Sequence, residues 1–252
     1  MNKNYLAKHI PNSITMLNLL MGCIAIAHAS AGDFHQSFMY ILLAALFDFF
    51  DGFAARYTNS HSEYGKLLDS LADMVSFGLA PSVIMYNLID RIYARTNLFM
   101  GFELFETGKN IILGSAFAIA VFSALRLAKF HFDVRQRDSF VGLPTPANAI
   151  FIASFANMVF SIKNPAVFNF FINLNFIVLL IFSLCFLMIA EIPMFSLKFK
   201  NFSPRKNFIR YLFSSLSILL ILYLKKFSFP LIIVLYVFLS ILLANTIKTK
   251  TT

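Results

Sequence analysis

Apolar residues gather along this chain into runs too long for the core of a soluble domain, separated by short polar or charged stretches. Eight runs can be drawn, at roughly 13–31, 36–56, 65–89, 109–129, 143–162, 169–192, 208–224 and 227–246. A helix needs about 20 residues to cross the hydrocarbon of a bilayer, and each run is near that length. The seventh is short and stops at Lys225-Lys226, and the sixth is open at its end, because apolar residues continue through Ile192-Pro193-Met194-Phe195. The pattern predicts an all-α fold: a polytopic transmembrane helix bundle of about eight spans.

Composition agrees. Residues of the hydrophobic set make up 59% of the 252 and charged residues 13%, about half the charged share of a soluble domain. The net charge is +9, but the basic residues sit between the apolar runs, where they orient the chain and meet anionic head groups. No basic stripe with interleaved aromatics points to nucleic acid. With the N-terminus in the cytosol, fifteen of the 21 Lys and Arg fall on the inner side, among them Lys3, Lys8, Arg56, Lys66, Arg126, Lys129, Arg135, Arg137, Lys198 and Lys200. The opposite orientation would invert this bias, so the N-terminus is expected in the cytosol, with the link around 57–64 inside the cell. Cys23 and Cys185 lie in apolar runs and read as packing residues, and the polar, basic start does not read as a cleavable signal peptide. The chain reads as one membrane domain: a core of about six spans over 1–205, and two further spans over 206–252. That last part carries no acidic residue and reads as lipid-facing scaffold or an oligomer surface.

Four of the 12 acidic residues, Asp48, Asp51, Asp69 and Asp73, lie within or at the edge of apolar runs. A carboxylate in hydrocarbon is costly and calls for a function and a partner. Asp48 and Asp51 are spaced i,i+3 and Asp69 and Asp73 i,i+4, so each pair shares a helix face. The short link makes the two helices antiparallel neighbours, and the pairs can face each other near the cytosolic surface. Like charges that close repel unless cations intervene. Carboxylate oxygens suit Mg²⁺ or Mn²⁺, with Ca²⁺ also compatible, and four of them suit two ions clamping a phosphoryl group. Gly52 and Gly65 let a ligand approach the backbone, Arg56 supplies a fixed cation, and Ser60-His61-Ser62-Glu63 reads as a capping box opening the third helix. The reading from another class is a cation transporter, which would call for broken helices at the bilayer midplane and paired repeats; no repeat is evident.

Written out, the stretch is Asp48-Phe49-Phe50-Asp51-Gly52-Phe53-Ala54-Ala55-Arg56, eight residues, then Gly65-Lys66-Leu67-Leu68-Asp69-Ser70-Leu71-Ala72-Asp73. It resembles the signature of the CDP-alcohol phosphatidyltransferases, DxxDGxxAR-x8-GxxxDxxxD, at each fixed position. The resemblance implies that the four aspartates hold two divalent cations and that Asp73 is also the general base that deprotonates the acceptor hydroxyl. It implies contacts to a CDP-lipid from Gly52, Arg56 and Ser62, joined by Gly65, and from Asn12 and Thr15 in the stretch Pro11-Asn12-Ser13-Ile14-Thr15-Met16-Leu17-Asn18. Asn12 is equally a helix cap by residue type.

The signature leaves the acceptor alcohol open. Ser76-Phe77-Gly78-Leu79-Ala80-Pro81, Ala124-Leu125-Arg126-Leu127-Ala128-Lys129-Phe130 and Phe140-Val141-Gly142-Leu143-Pro144-Thr145-Pro146 resemble the phosphatidylserine synthase branch, as does Glu191-Ile192-Pro193-Met194-Phe195-Ser196-Leu197-Lys198 less specifically. That branch implies CDP-diacylglycerol as donor, L-serine as acceptor, a cell (inner) membrane location with the active site toward the cytosol, and a homodimer. Arg126 and Lys129 can meet the serine carboxylate, or they are orientation charges snorkelling to head groups. Glycerol 3-phosphate or inositol phosphate as acceptor would favour a more basic pocket.

Overall fold

Gly32 parts the first two apolar runs. In the computed structural model, which describes residues 3–58, 62–100, 106–132, 140–195 and 207–248, its φ of 77° ends helix α1 (Lys3–Ala31). Asp33 then caps α2 (Phe34–Tyr57), accepting from the Gln36 N–H at 3.0 Å. Ser37 Oγ donates to the Ala25 carbonyl at 2.8 Å and closes the hairpin. The positive φ favours glycine at this turn, and the guanidinium of Arg91 packs where a Cβ would lie and donates to the Ala31 carbonyl at the end of α1.

Helix α3 (Glu63–Asp73) starts at Ser62, whose Oγ accepts from the Gly65 N–H at 3.0 Å. The cap therefore lies two residues beyond the expected Ser60–Glu63 box, and Glu63 pairs instead with Lys66 at 2.8 Å. Ser60 and His61 lie outside the described residues, as do Arg135, Arg137, Lys198 and Lys200 of the basic segments. The helix continues through a π-helical turn, Met74–Leu79, into α4 (Ala80–Met100). Helices α5 (Glu106–Ser115) and α6 (Ala118–Phe132) form the next apolar unit, tied to α4 by the Lys109–Asp90 ion pair at 3.2 Å.

Two-residue strands β1 (Phe140–Val141) and β2 (Pro193–Met194) pair antiparallel with Phe140 opposite Met194, a small ladder in an otherwise helical chain. Between β1 and α7 (Thr145–Val159), Gly142 takes φ 76° and lies so near the end of the sixth apolar run that a Cβ would sit 2.5 Å from the Met188 carbonyl oxygen. Helix α7 is buried on nearly every side, packing on α2, α4 and the C-terminal helix. A helix apolar all round belongs inside a bundle. At 15 residues it is too short to cross hydrocarbon alone.

The sixth expected run is broken in two: α8 (Pro165–Phe171) and α9 (Leu174–Ile189) meet at 52°, where Asn173 caps α9. The last two runs become α10 (Phe208–Leu224) and α11 (Ser228–Lys248), joined at Lys225 with φ 48°. The Phe213 and Tyr236 rings lie 6.0 Å apart, so α11 folds back along α10. Tyr236 also donates to the Phe195 carbonyl at 3.2 Å, which fastens this hairpin to the rest of the bundle. By length and composition, five helical stretches among the described residues can cross a membrane, or six if the bent pair is one span. The expected count was about eight. The difference comes from α7, too short to cross alone, and from the unbroken helical stretch Phe208–Leu243, one by length and composition although its two legs, α10 and α11, fold back on each other at Lys225; the bend at Asn173 separates five from six. Exposed Leu20, Phe49, Phe53, Leu179, Phe182 and Leu242 give the outside of the bundle an apolar, lipid-compatible surface. The fold is an all-α membrane bundle.

Helix α1 comes close to the π turn. Ser76 Oγ donates to the Asn18 carbonyl at 3.0 Å, and a Cβ on Gly22 would fall on that Oγ and lie 2.7 Å from Ser76 Cα. A Cβ on Gly114 would meet no atom within 4 Å. Gly22→Ala is expected to lower the melting temperature of the detergent-purified protein, since overpacking costs about 1–3 kcal/mol. Gly114→Ala should leave it unchanged or raise it by the helix preference of Ala over Gly, about 0.5–1 kcal/mol. Melting curves of the two variants should therefore shift in opposite directions, and equal shifts would refute the close packing.

Candidate active site

The i,i+3 and i,i+4 spacings do what they promise. Asp48 and Asp51 on α2 face Asp69 on α3, and one carboxylate oxygen from each lies within 4.8 Å of the others. Asp73 completes the group, with Asp48, Asp69 and Asp51 all in electrostatic contact with it. The donor set is carboxylate oxygen throughout, which suits a hard divalent cation.

Helix α1 orients two of the four. Thr15 Oγ1 lies 2.7 Å from Asp51 Oδ2 and 3.0 Å from the Pro11 carbonyl, and its single proton favours the carboxylate. Asn18 Nδ2 donates to Asp73 Oδ1 at 3.1 Å. Thr15 and Asn18 sit one helical turn apart on one face of α1, so a single helix fixes a carboxylate on each of the other two. Asn18 is the residue that sequence reading passed over. Its signal was available: an amide within an apolar helix, continuing the i,i+3 line of Asn12 and Thr15.

A cavity of about 160 Å³ opens beside the cluster. Its walls include each residue expected to touch a CDP-lipid, namely Asn12, Thr15, Gly52, Arg56, Ser62 and Gly65, and add Lys66, with Asp51 and Asp69 also lining it. The two glycines differ. A Cβ on Gly52 would meet only Arg56 Nη1, at an ordinary 3.7 Å, so its absence leaves room in the cavity rather than relieving a clash. A Cβ on Gly65 would press on Asn12 Oδ1 and Ser62 Oγ, each at 3.1 Å. Gly65 therefore also lets α1 and α3 approach.

The two expected acceptor residues part company. Arg126 is buried, its Nη1 reaches Thr145 Oγ1 at 3.5 Å, and its charge acts on Asp73. Lys129, one turn further along α6, is half-exposed and pairs with Glu191 at 3.5 Å. Thr145, in the Pro144-Thr145-Pro146 stretch, thus both starts α7 and touches Arg126.

The CDP-alcohol phosphatidyltransferase model matches residues 8–242, which takes in α1, the whole aspartate cluster and most of the C-terminal hairpin. Among similar proteins, a CDP-diacylglycerol–serine O-phosphatidyltransferase of Methanocaldococcus jannaschii is 35% identical over 150 residues, 60% of this chain and 61% of that protein. One of Bacillus subtilis is 34% identical over 138 residues, 55% of this chain and 70% of that protein. An archaetidylserine synthase of Methanothermobacter thermautotrophicus is 33% identical over 150 residues, 58% of this chain and 57% of that protein. The aligned stretches thus span little more than half of several of these relatives. With the aspartates converging, α1 bracing them and the cavity formed by the signature's own residues, the match has its physical counterpart: the chain belongs to the CDP-alcohol phosphatidyltransferase family.

Proposed function

We propose that the protein transfers the phosphatidyl group of CDP-diacylglycerol to L-serine, giving phosphatidylserine and CMP. The observation that carries this reading is the buried Arg126, which reaches Thr145 and whose charge acts on Asp73, within a family whose similar members include serine transferases. A carboxylate that takes a proton and a guanidinium that takes a carboxylate are the two groups an amino acid with a hydroxyl requires.

Asp48, Asp51, Asp69 and Asp73 would hold one or two divalent cations, Mg²⁺ or Mn²⁺, which when bound supply Lewis-acid stabilisation of the diphosphate charge. Arg56, on the cavity wall, adds a fixed positive charge for the diphosphate. Asn12, Thr15, Gly52, Ser62 and Gly65 shape the donor site, and Thr15 holds Asp51. Asn18 fixes the rotation of the Asp73 carboxyl. Asp73 accepts the serine hydroxyl proton as the serine oxygen bonds to the β-phosphorus. The bond from that phosphorus to the bridging oxygen breaks, and CMP leaves with the electron pair. With Asp73 as base, no covalent enzyme intermediate is needed.

The excess of Lys and Arg supports a cytosolic N-terminus, with the site opening to the cytosol from a cell (inner) membrane. Residues 1–205 form the proposed catalytic core and 206–252 a hairpin of the same membrane domain. The packing of α11 on α7 supports that union.

Purified protein with CDP-diacylglycerol and Mn²⁺ or Mg²⁺ should release CMP when L-serine is added, and EDTA should abolish the release until metal is restored. Release with glycerol 3-phosphate and none with serine would sink the serine reading. Asp73→Asn keeps the shape but loses the base, so CMP release should fall by about 10²–10⁴-fold. Single-turnover assays with saturating serine would expose the opposite result, an Asn variant as fast as the parent.

A further inference from the structure

Helix α7 carries a polar side chain that the family signature does not account for. Asn148 is fully buried, and neither its Oδ1 nor its Nδ2 has a hydrogen-bond partner. A buried asparagine that holds helices together is bonded through its amide. This one bonds no neighbouring helix and does not turn back to its own backbone. Its backbone N–H bonds the Pro144 carbonyl at 3.0 Å in the ordinary helical way, so the free groups belong to the side chain alone.

Its position is informative. Asn148 lies one helical turn beyond Thr145 on α7, and Thr145 is the residue that Arg126 reaches at 3.5 Å. Arg126 is itself incompletely satisfied, with a buried Nε that has no partner. Its charge acts on Asp73, and Asp73 accepts from Asn18, whose own Oδ1 is buried without a partner. Unused groups thus occur on three residues linked to Asp73 or Thr145. They are the N–H of Arg126 Nε, the amide N–H groups of Asn148 Nδ2, and the amide oxygens of Asn18 and Asn148.

We propose that Asn148 is a specificity-determining residue of the acceptor subsite, recognising the charged head of an amino acid together with Arg126. The acceptor's carboxylate accepts hydrogen bonds from Arg126 Nε–H and Asn148 Nδ2–H, and its ammonium donates to an amide oxygen of Asn148 or Asn18. Its hydroxyl is then presented to Asp73. An acceptor without the amino and carboxylate groups leaves these buried groups unpaired, which is how such a site rejects it. This assignment rests on the serine reading above.

The test uses the full chain in detergent with CDP-diacylglycerol and Mn²⁺, comparing the parent with Asn148→Ala and Asn148→Leu. L-Alanine, which keeps the head groups but lacks the hydroxyl, serves as a competitive probe. Both variants should raise the KM for serine and the inhibition constant of alanine together by about tenfold, the loss of a hydrogen bond to a charged group. The KM for CDP-diacylglycerol and the rate at saturating serine should stay within about twofold of the parent. Asn148→Leu, which replaces an unpaired amide with an apolar side chain of similar size, should melt no lower than the parent. Unchanged serine and alanine constants overturn the assignment. So does a rise in the CDP-diacylglycerol KM equal to that for serine, or a lowered melting temperature in Asn148→Leu with alanine binding intact, since each marks a structural role. If the parent itself releases no CMP with serine, the acceptor reading fails at its root. If the parent turns over serine and the variants match it, only the role of Asn148 fails.

Discussion

Four carboxylates crowded between apolar helices are the constraint around which this bundle is built. Each loses hydration on burial, and each repels the others at short range. Asp48, Asp51 and Asp69 nevertheless bring oxygens within 4.8 Å of one another, with Asp73 beside them. Such a group is unfavourable for stability alone. It makes sense where cations bind, and where α1 supplies hydrogen bonds that hold the carboxylates in one arrangement before any cation arrives. Thr15 and Asn18 do this for Asp51 and Asp73.

The bracing depends on how near α1 can come. Gly22 admits the backbone of Ser76, and the Ser76 hydroxyl bonds the carbonyl of Asn18, the residue whose side chain reaches Asp73. Three residues after Asp73, Ser76 therefore returns the chain to its brace. The π turn Met74–Leu79 follows directly on Asp73, and a π turn within a helix often marks a functional site because it redirects side chains. Here the turn packs on α1, α4, α6 and α7, so the orientation of Asp73 is coupled to most of the bundle.

What could be read from sequence was what is local. The aspartates share helix faces because their spacing is three and four residues, and the cavity wall follows from the same stretch together with the start of α1. The two orienting hydrogen bonds were not legible, because their partners lie 36 and 55 residues apart and depend on which helix packs where. The cap of α3 fell two residues late because Ser60 and Ser62 both suit an N-cap, and the close approach at Gly65 favours the second. The span count depended on tertiary facts: a buried α7 too short to cross alone, a bend at Asn173, and a reversal at Lys225, a residue that ordinarily avoids positive φ. Asn148, like Asn18, is an amide in an apolar run, but that nothing bonds it is a tertiary fact.

The site then divides into two supports. The donor side is assembled from α1, α2 and α3, by spacing along contiguous sequence. The side that carries Arg126 and Thr145 comes from α6 and α7, and α7 is placed by a different device: the positive φ of Gly142 and the ladder of β1 with β2, which pin the start of α7 to the end of α9. Leu143 N–H bonding the Leu187 carbonyl at 2.9 Å completes that anchor. Asp73 is where the supports meet, bonded to Asn18 of α1 and acted on by the charge of Arg126 of α6. Helix α7 also packs on α2 and on the π turn that follows Asp73, so the two supports are coupled. Under the proposed serine transfer, Arg126 on α6 and Asn148 on α7 would choose the alcohol, and the aspartates would serve the chemistry at the phosphorus.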